Sequence, residues 1–324
     1  MKTFKILSID GGGIKGLYSA TVLQELEKKY GKLNNYFDLI CGTSTGGIIA
    51  LAISVGIPLP EICLLYKEYG KEIFPPNIFF KIFRLCKKLV LYNRTNLDKK
   101  LEVIFGEKLL DDGKCCLCIP SINSAENLQP TIFKTSHHKS LIRDKKRTML
   151  DVARSTSAAP VYFNKAKIKG FSDNLTDGGL WLNNPSFSGL IEAMSYFVGE
   201  TKEYTDIKLL SVGNIKDTKN YPLGHSLVSW VLGANVVKKM IRIQERTFEE
   251  LIVLFKKHRI FPISAYVRIE KELFGKDISM DCVSKKILET LEKWAKEDIQ
   301  NEINKKTTDV FFKEHKREWI FPVK

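Results

Sequence analysis

The sequence predicts an α/β protein, and three observations carry the prediction. A short β-rich run, Phe4-Lys5-Ile6-Leu7-Ser8-Ile9, ends in a glycine-rich loop and opens into a helical pattern. A second apolar run, Tyr36-Phe37-Asp38-Leu39-Ile40-Cys41, ends in Gly42-Thr43-Ser44-Thr45-Gly46-Gly47 and opens into another helix. Downstream, strand-like runs go on alternating with helical ones, the pattern of α/β folds.

Composition sets the outer bounds. At 324 residues the chain can bury a large core, and 44% apolar with 27% charged residues is the balance of an ordinary globular protein. The longest apolar run, roughly 46–59, falls short of the ~20 residues that a membrane-spanning helix needs. The start, Met1-Lys2-Thr3-Phe4-Lys5, lacks the layout of a signal peptide, so the expected location is cytoplasmic. A net charge of +14 biases the protein toward anionic partners. Cys115-Cys116-Leu117-Cys118 has no second ligand pair nearby, so these read as reduced strand residues and no metal site is expected.

The elements follow in order. The first strand ends in Asp10-Gly11-Gly12-Gly13-Ile14-Lys15-Gly16, and 17–30 is helical with Leu17, Val22, Leu23 and Leu26 on its apolar face. The loop fails the phosphate-binding G-x-x-x-x-G-K-[ST] pattern, because Gly16 and Leu17 follow Lys15. Gly11, Gly13 and Gly16 do meet the dinucleotide spacing G-x-G-x-x-G. The third reading is an oxyanion hole of bare backbone amides, which the elbow serine downstream favours. At Gly42-Thr43-Ser44-Thr45-Gly46 the strand–G-x-S-x-G–helix order is that of a nucleophile elbow; its bland alternative is a glycine-rich turn with an incidental serine. Gly42 and Gly46 flank Ser44 where a side chain would clash.

Residues 61–74 are helical until Pro75-Pro76 breaks the pattern. In 78–90, Lys81, Arg84 and Lys88 form a basic stripe beside an aromatic-rich face. That suits a membrane-contact helix or lid, and equally a core helix with a solvated edge. Helices are expected over 96–105 and 148–156, and paired strands over 115–122 and 130–135. His137-His138 falls in a polar stretch that reads as an exposed loop. A strand over 165–169 precedes Asp177-Gly178-Gly179, a turn sequence, with Asn183-Asn184-Pro185 close behind. Residues 206–212 read as a buried strand, 226–258 as helix, 265–269 as a last strand and 283–304 as an amphipathic helix. The apolar tail, Trp319-Ile320-Phe321-Pro322-Val323, is expected to pack back onto the body.

Taken together, the triple-glycine loop, the elbow at Ser44, Ser157-Ala158-Ala159-Pro160, and Asp177-Gly178-Gly179 with Asn183-Asn184-Pro185 resemble the patatin-like phospholipase family over about residues 1–215. The resemblance implies a three-layer α/β/α fold with a central, mainly parallel sheet, and lipid acyl-hydrolase activity of the phospholipase A type without a cofactor. It hands Ser44 and Asp177 the roles of a catalytic dyad, and Gly11, Gly12 and Gly13 the oxyanion hole. Lys15, Gly42, Gly46 and Gly178 fall in supporting positions; Lys15 stands where the family often has arginine. Elimination also favours a dyad, since only His225, His258 and His315 follow Asp177 and none sits in a short catalytic loop. The segment between elbow and aspartate is similar to bacterial members, some of which resemble cyclic-oligonucleotide-activated antiphage effectors. The implied partners are a phospholipid surface at the inner membrane face and a cyclic oligonucleotide, with no DNA or RNA; assembly into a homo-oligomer stays open. The expected organisation is a catalytic domain over 1–215 and a mainly helical extension over 216–324 packed on the same body. The alternative function is a non-catalytic lipid- or nucleotide-binding module on the same fold.

Overall fold

The computed structural model describes residues 2–75, 90–125, 127–217, 235–275, 278–316, 318, 319 and 321. β1 (Thr3–Ile9) lies in the middle of the sheet. It pairs in parallel with β2 (Leu39–Gly42) on one side and β7 (Asp206–Asp217) on the other. β3 (Cys116–Asn123) continues in parallel beyond β2, and β8 (Ile263–Leu273) beyond β7. β4 (Gln129–Lys134) and β6 (Ser172–Asp177) run antiparallel to β3, and β5 (Ala166–Ile168) antiparallel to β6. The order is β5-β6-β3-β2-β1-β7-β8, with β4 on the other edge of β3.

The central strands read as unbroken apolar runs because both faces are covered. Alternate side chains go to opposite faces. Leu7, Ile9, Ile40, Leu117 and Val212 pack into one core, and Phe4, Ile6, Leu39, Cys116 and Leu209 into the other. The first core is roofed by α1 (Gly16–Tyr30), α2 (Thr45–Ser54), α3 (Leu59–Lys67), the short α4 (Gly70–Ile73), α5 (Thr95–Phe105), α6 (Met149–Thr156) and the late α10 (Lys285–Asn304). A four-residue turn, α7 (Gly179–Leu182), follows β6. The second core is covered by α8 (Ser186–Tyr196) and α9 (Asn235–Lys257). Helix, sheet and helix make the three layers expected from the sequence. Each fully buried leucine or isoleucine contributes about 1.5–3 kcal/mol, so the two cores dominate the stability.

Local signals set the element ends. Thr148 caps α6 by accepting from the Asp151 amide at 3.1 Å, and Ser284 caps α10 by accepting from Ile287. Of the tail, Trp319 packs back: it lies against Phe197 at 5.1 Å between ring centroids, beside Phe4. The cysteines at 41, 63, 115, 116 and 118 are buried and form no disulfide among the described residues. One expectation fails at His137, whose side chain is buried rather than looped into solvent. Its Nε2 meets Glu192 Oε1 at 2.8 Å and its Nδ1 meets Thr135 Oγ1 at 2.9 Å, while Lys134 reaches the other Glu192 oxygen at 2.6 Å. A polar stretch is thus satisfied internally by a glutamate distant in sequence. The basic stripe of Lys81, Arg84 and Lys88 lies outside the described residues.

Candidate active site

β3 serves as the ruler that brings the site together. Cys118 pairs with Lys134 of β4 and with Cys41 of β2, so those neighbours occupy opposite edges. Ser121 pairs with Thr131 of β4 and with Asp177 of β6, so β6 shares the β2 edge. β2 runs parallel to β3 and β6 runs antiparallel. Their C-terminal ends therefore approach each other head-on along one edge, with Ser44 just past one end and Asp177 at the other.

At the end of β2 the chain reverses. Ser44 sits at φ 55°, ψ −124°, an unusual conformation for a residue with a side chain, and α2 begins at the next residue. The turn is that tight because Gly42 and Gly46 allow it: a Cβ on Gly42 would lie 2.2 Å from the Gly46 carbonyl oxygen, and one on Gly46 2.3 Å from that of Ile9. Gly178 is packed likewise, its place for a Cβ 2.5 Å from the Pro120 oxygen. The Ser44 amide donates to Thr156 Oγ1 at 2.9 Å, and that hydroxyl donates to the Pro120 carbonyl at 2.6 Å. Thr156 thus ties the elbow to β3.

Ser44 Oγ donates to Asp177 Oδ2 at 2.6 Å. The other carboxylate oxygen accepts from the Gly179 amide at 2.7 Å, and the Asp177 amide donates to Ala158 at 3.0 Å. These bonds fix the carboxylate plane with one oxygen committed to the serine. Burial pushes the Asp177 carboxyl up to about 6, against the bonds from Ser44 and Gly179, which pull it down. It is a stronger base than an exposed aspartate and is still ionised at neutral pH.

The glycine loop arrives beside Ser44 from the end of β1. Gly13 has φ 59°, and a Cβ there would lie 2.5 Å from the Met280 oxygen, so only glycine fits. The Gly12 and Gly13 amides carry no hydrogen bond to another described residue, nor does that of Thr45 at the start of α2. Gly11 departs from the expected role of oxyanion donor: its amide already donates to the Asn183 carbonyl at 3.1 Å. Its own carbonyl accepts from Asn183 Nδ2 at 3.2 Å and Asn214 Nδ2 at 2.7 Å. Gly11 is therefore the anchored end of the loop. Lys15 reaches the Ile215 carbonyl at 3.3 Å, away from the serine.

Under the loop lies an ionic network that no motif announced. Asp10 is fully buried and receives both terminal nitrogens of Arg268, Nη1 at 2.9 Å and Nη2 closer still. Arg268 also meets Glu270 at 2.7 Å and Glu249 at 3.2 Å; Lys216 meets Glu249 and Glu270 at 2.7 Å each. Despite the cost of burial, these cations hold Glu270 below the usual carboxylate range. Glu245 of α9 accepts from Asn183 Nδ2, and Gln244 accepts from the Asn183 amide at 3.1 Å. Asn183, from the Asn183-Asn184-Pro185 run, thereby links α9 to the loop.

Above Ser44 and Asp177 opens a cavity of about 430 Å3, walled by apolar side chains including Ile48, Leu65, Phe74, Leu97, Tyr162 and Phe163. Its polar points are few and converge on the serine, the layout of a site for an apolar ligand. Val161 and Leu180 line it and are 57% and 43% exposed, so its mouth is apolar too.

Residues 7–188 match the family model described as patatin-like phospholipase. A cGAMP-activated phospholipase of Vibrio cholerae is 31% identical, the match covering 95% of this chain and 94% of that protein. Proteins of the same description from Escherichia coli and Pseudomonas aeruginosa are 33% and 34% identical, covering 69% and 66% of this chain and 65% and 63% of theirs.

Proposed function

The chain belongs to the patatin-like phospholipase family, and from that premise we propose that it is a lipid acyl hydrolase of the phospholipase A type, cleaving glycerophospholipid esters through Ser44 and Asp177. The observation that carries the reading is the 2.6 Å bond from Ser44 Oγ to the buried Asp177 carboxylate at the floor of an apolar cavity. Ser44 attacks the ester carbonyl carbon and its proton passes to Asp177 Oδ2. The oxyanion is met by the Gly12 and Gly13 amides, with that of Thr45, and each well-placed donor supplies about 3–4 kcal/mol. Asp177 then protonates the departing lysophospholipid alkoxide. Water, deprotonated by the same carboxylate, clears the acyl group from Ser44 and releases the fatty acid. A base with a pKa of about 6 suits both proton transfers better than one near 4.

The same proposal includes activation by a cyclic oligonucleotide, which the names of the bacterial relatives support, and a role in antiphage defence. It includes work at the inner face of the membrane from the cytoplasm; no helix among the described residues is long and apolar enough to cross one. It takes 1–215 as the catalytic unit and 216–324 as an extension that lends β8 to the sheet. The test is fatty-acid release from phosphatidylglycerol and phosphatidylethanolamine vesicles, with and without cGAMP, together with fluorophosphonate labelling of wild type and Ser44→Ala. Release and labelling by wild type alone are expected. Wild type that neither releases fatty acid nor takes the label under any of these conditions would leave the binding module as the better reading.

A further inference from the structure

The cavity over Ser44 opens through a rim that is apolar outside as well as within. Val161 and Leu180 wall it and are exposed. Val161 is a β-branched residue at φ 71°, a backbone region that such residues rarely enter. Its carbonyl accepts from the Leu91 amide at 2.7 Å, and that of Tyr162 from the Tyr92 amide at 2.8 Å, which holds it there. Leu180 belongs to α7, and α7 packs on α9. Gln244 of α9 accepts from the Asn183 amide just past α7. The rim is thus continuous with α9. That helix has two unlike faces. Ile241 reaches the cavity wall, while Glu245 and Ile252 are buried. On the outer side Met240 and Ile243 are each 65% exposed, and Leu254 is exposed too. With Thr247 they follow one another at helical spacing and form one stripe along the helix. Exposed apolar residues are ordinary singly, but a set gathered beside a ligand site marks an interaction surface.

Charge selects the occupant. α9 carries six lysines and arginines against three glutamates. Glu245 is engaged by Asn183, and Glu249 by Lys216 and Arg268. Glu250 is therefore the helix's one exposed acid, among the exposed Arg246, Lys256 and Lys257. An apolar stripe edged with cations is the pattern of a helix that lies in the plane of an anionic bilayer. A second copy of the chain fits worse. Docking stripe to stripe would set one cationic edge against another, and like charges repel. We infer that α9 lies flat on an anionic phospholipid surface, with Met240, Ile243 and Leu254 in the acyl boundary, and that the rim at Val161 and Leu180 then opens the cavity into the bilayer. An acyl chain so enters without crossing water. This route rests on the acyl-hydrolase reading; the docking itself does not.

The test uses the full chain. Sedimentation with vesicles is measured in the Ser44→Ala background, so that turnover does not alter the lipid. Met240→Ser/Ile243→Ser removes the stripe, and Arg246→Gln/Lys257→Gln removes part of its cationic edge. All four side chains are exposed, so the melting temperature should stay that of the parent. The parent is expected to bind phosphatidylglycerol vesicles about tenfold or more tightly than phosphatidylcholine vesicles. The serine pair should lose about tenfold or more of that affinity at low and at high salt. The glutamine pair should lose affinity at low salt and little at high salt, because salt screens charge but not apolar burial. In chains that keep Ser44, the serine pair should slow fatty-acid release from phosphatidylglycerol vesicles. It should leave turnover of a soluble short-chain ester within about twofold, since neither Met240 nor Ile243 walls the cavity. Vesicle binding unchanged by the serine pair would overturn the inference, as would a parent chain that binds no vesicle. A parent that self-associates while the serine pair stays monomeric, with equal vesicle binding, would give the stripe to a second copy and overturn it too. Affinity lost by the serine pair, in a protein that hydrolyses neither substrate, would still support the docking and would count against the enzyme reading alone.

Discussion

Asn183 grips Gly11 at both ends, accepting from its amide at 3.1 Å and donating from Nδ2 to its carbonyl at 3.2 Å. The backbone half of this clamp survives any substitution; the carboxamide half does not. Asn183→Ala would free the Gly11 carbonyl from one of its two donors and leave Glu245 without that partner. Turnover of a soluble ester should fall about tenfold, which corresponds to ~1.4 kcal/mol of lost positioning, with KM little changed. Steady-state kinetics decide it. A rise in KM at constant kcat would assign Asn183 to substrate binding instead.

Asp177 carries a pH signature. Its carboxyl is raised from 3.8 to about 6 by burial. A raised carboxylate stabilises the fold least when ionised: the native state holds its proton more tightly than the unfolded chain. Stability linked to this group is therefore fully present below about pH 4 and lost as pH rises through about 6. At neutral pH the ionised form costs about 3 kcal/mol. Asp177→Asn should accordingly melt higher than wild type above about pH 6 and no higher below about pH 4, while losing most hydrolysis. In wild type, kcat/KM should fall below about pH 6 with the uptake of one proton. Melting curves of both chains across this range test the assignment, and an Asp177→Asn protein less stable at pH 8 would contradict it.

How much of this was legible beforehand depended on distance along the chain. The two strand–loop–helix units could be read because each is local, and the apolar strands could be read because both faces are buried. Ser44 stood out through the spacing of Gly42 and Gly46. Asp177 did not stand out alone, since Asp-Gly is an ordinary turn; it drew attention only beside the other motifs. Its alignment with β2 along one edge of β3 has no local sign at all. The same holds for Arg268, which meets Asp10 from the far end of the chain, and for His137, whose polar neighbours suggested solvent. Gly11 shows the opposite failure. Three glycines in a row look equivalent in sequence, and the Asn183 contact separates the anchored one from the two whose amides bond to no other described residue.

The Arg268–Asp10 pair should matter for folding. Asp10 has no exposure, and Arg268 provides two of its contacts. Arg268→Met would leave a buried carboxylate unpaired, a change that costs about 3–5 kcal/mol. Urea unfolding midpoints should drop accordingly. A loss below about 1 kcal/mol would mean that solvent reaches Asp10 and screens it.

Gly12 offers the sharpest separation of fold from function. A Cβ on Gly12 would lie 2.5 Å from Asn214 Nδ2 and 3.0 Å from its Cγ. That same Nδ2 donates to the Gly11 carbonyl at 2.7 Å. Gly12→Ala must therefore push the Asn214 amide aside, and the loop loses one anchor while the Gly12 amide shifts from its place beside Ser44. The displaced group is the end of one side chain, so the sheet and both cores stay intact and the melting temperature should change little. The amide, however, is one of the donors assigned to the oxyanion, and an ill-placed donor costs about 10²-fold in kcat. KM for a short soluble ester should stay within about twofold, because the added methyl meets Asn214 and the apolar side chains that wall the cavity are unchanged. Fluorophosphonate labelling of Ser44 should slow in parallel, since that reaction also builds negative charge on an oxygen facing the loop. Normal kcat in a Gly12→Ala protein would remove the Gly12 amide from the oxyanion hole and leave Gly13 and Thr45 to supply it.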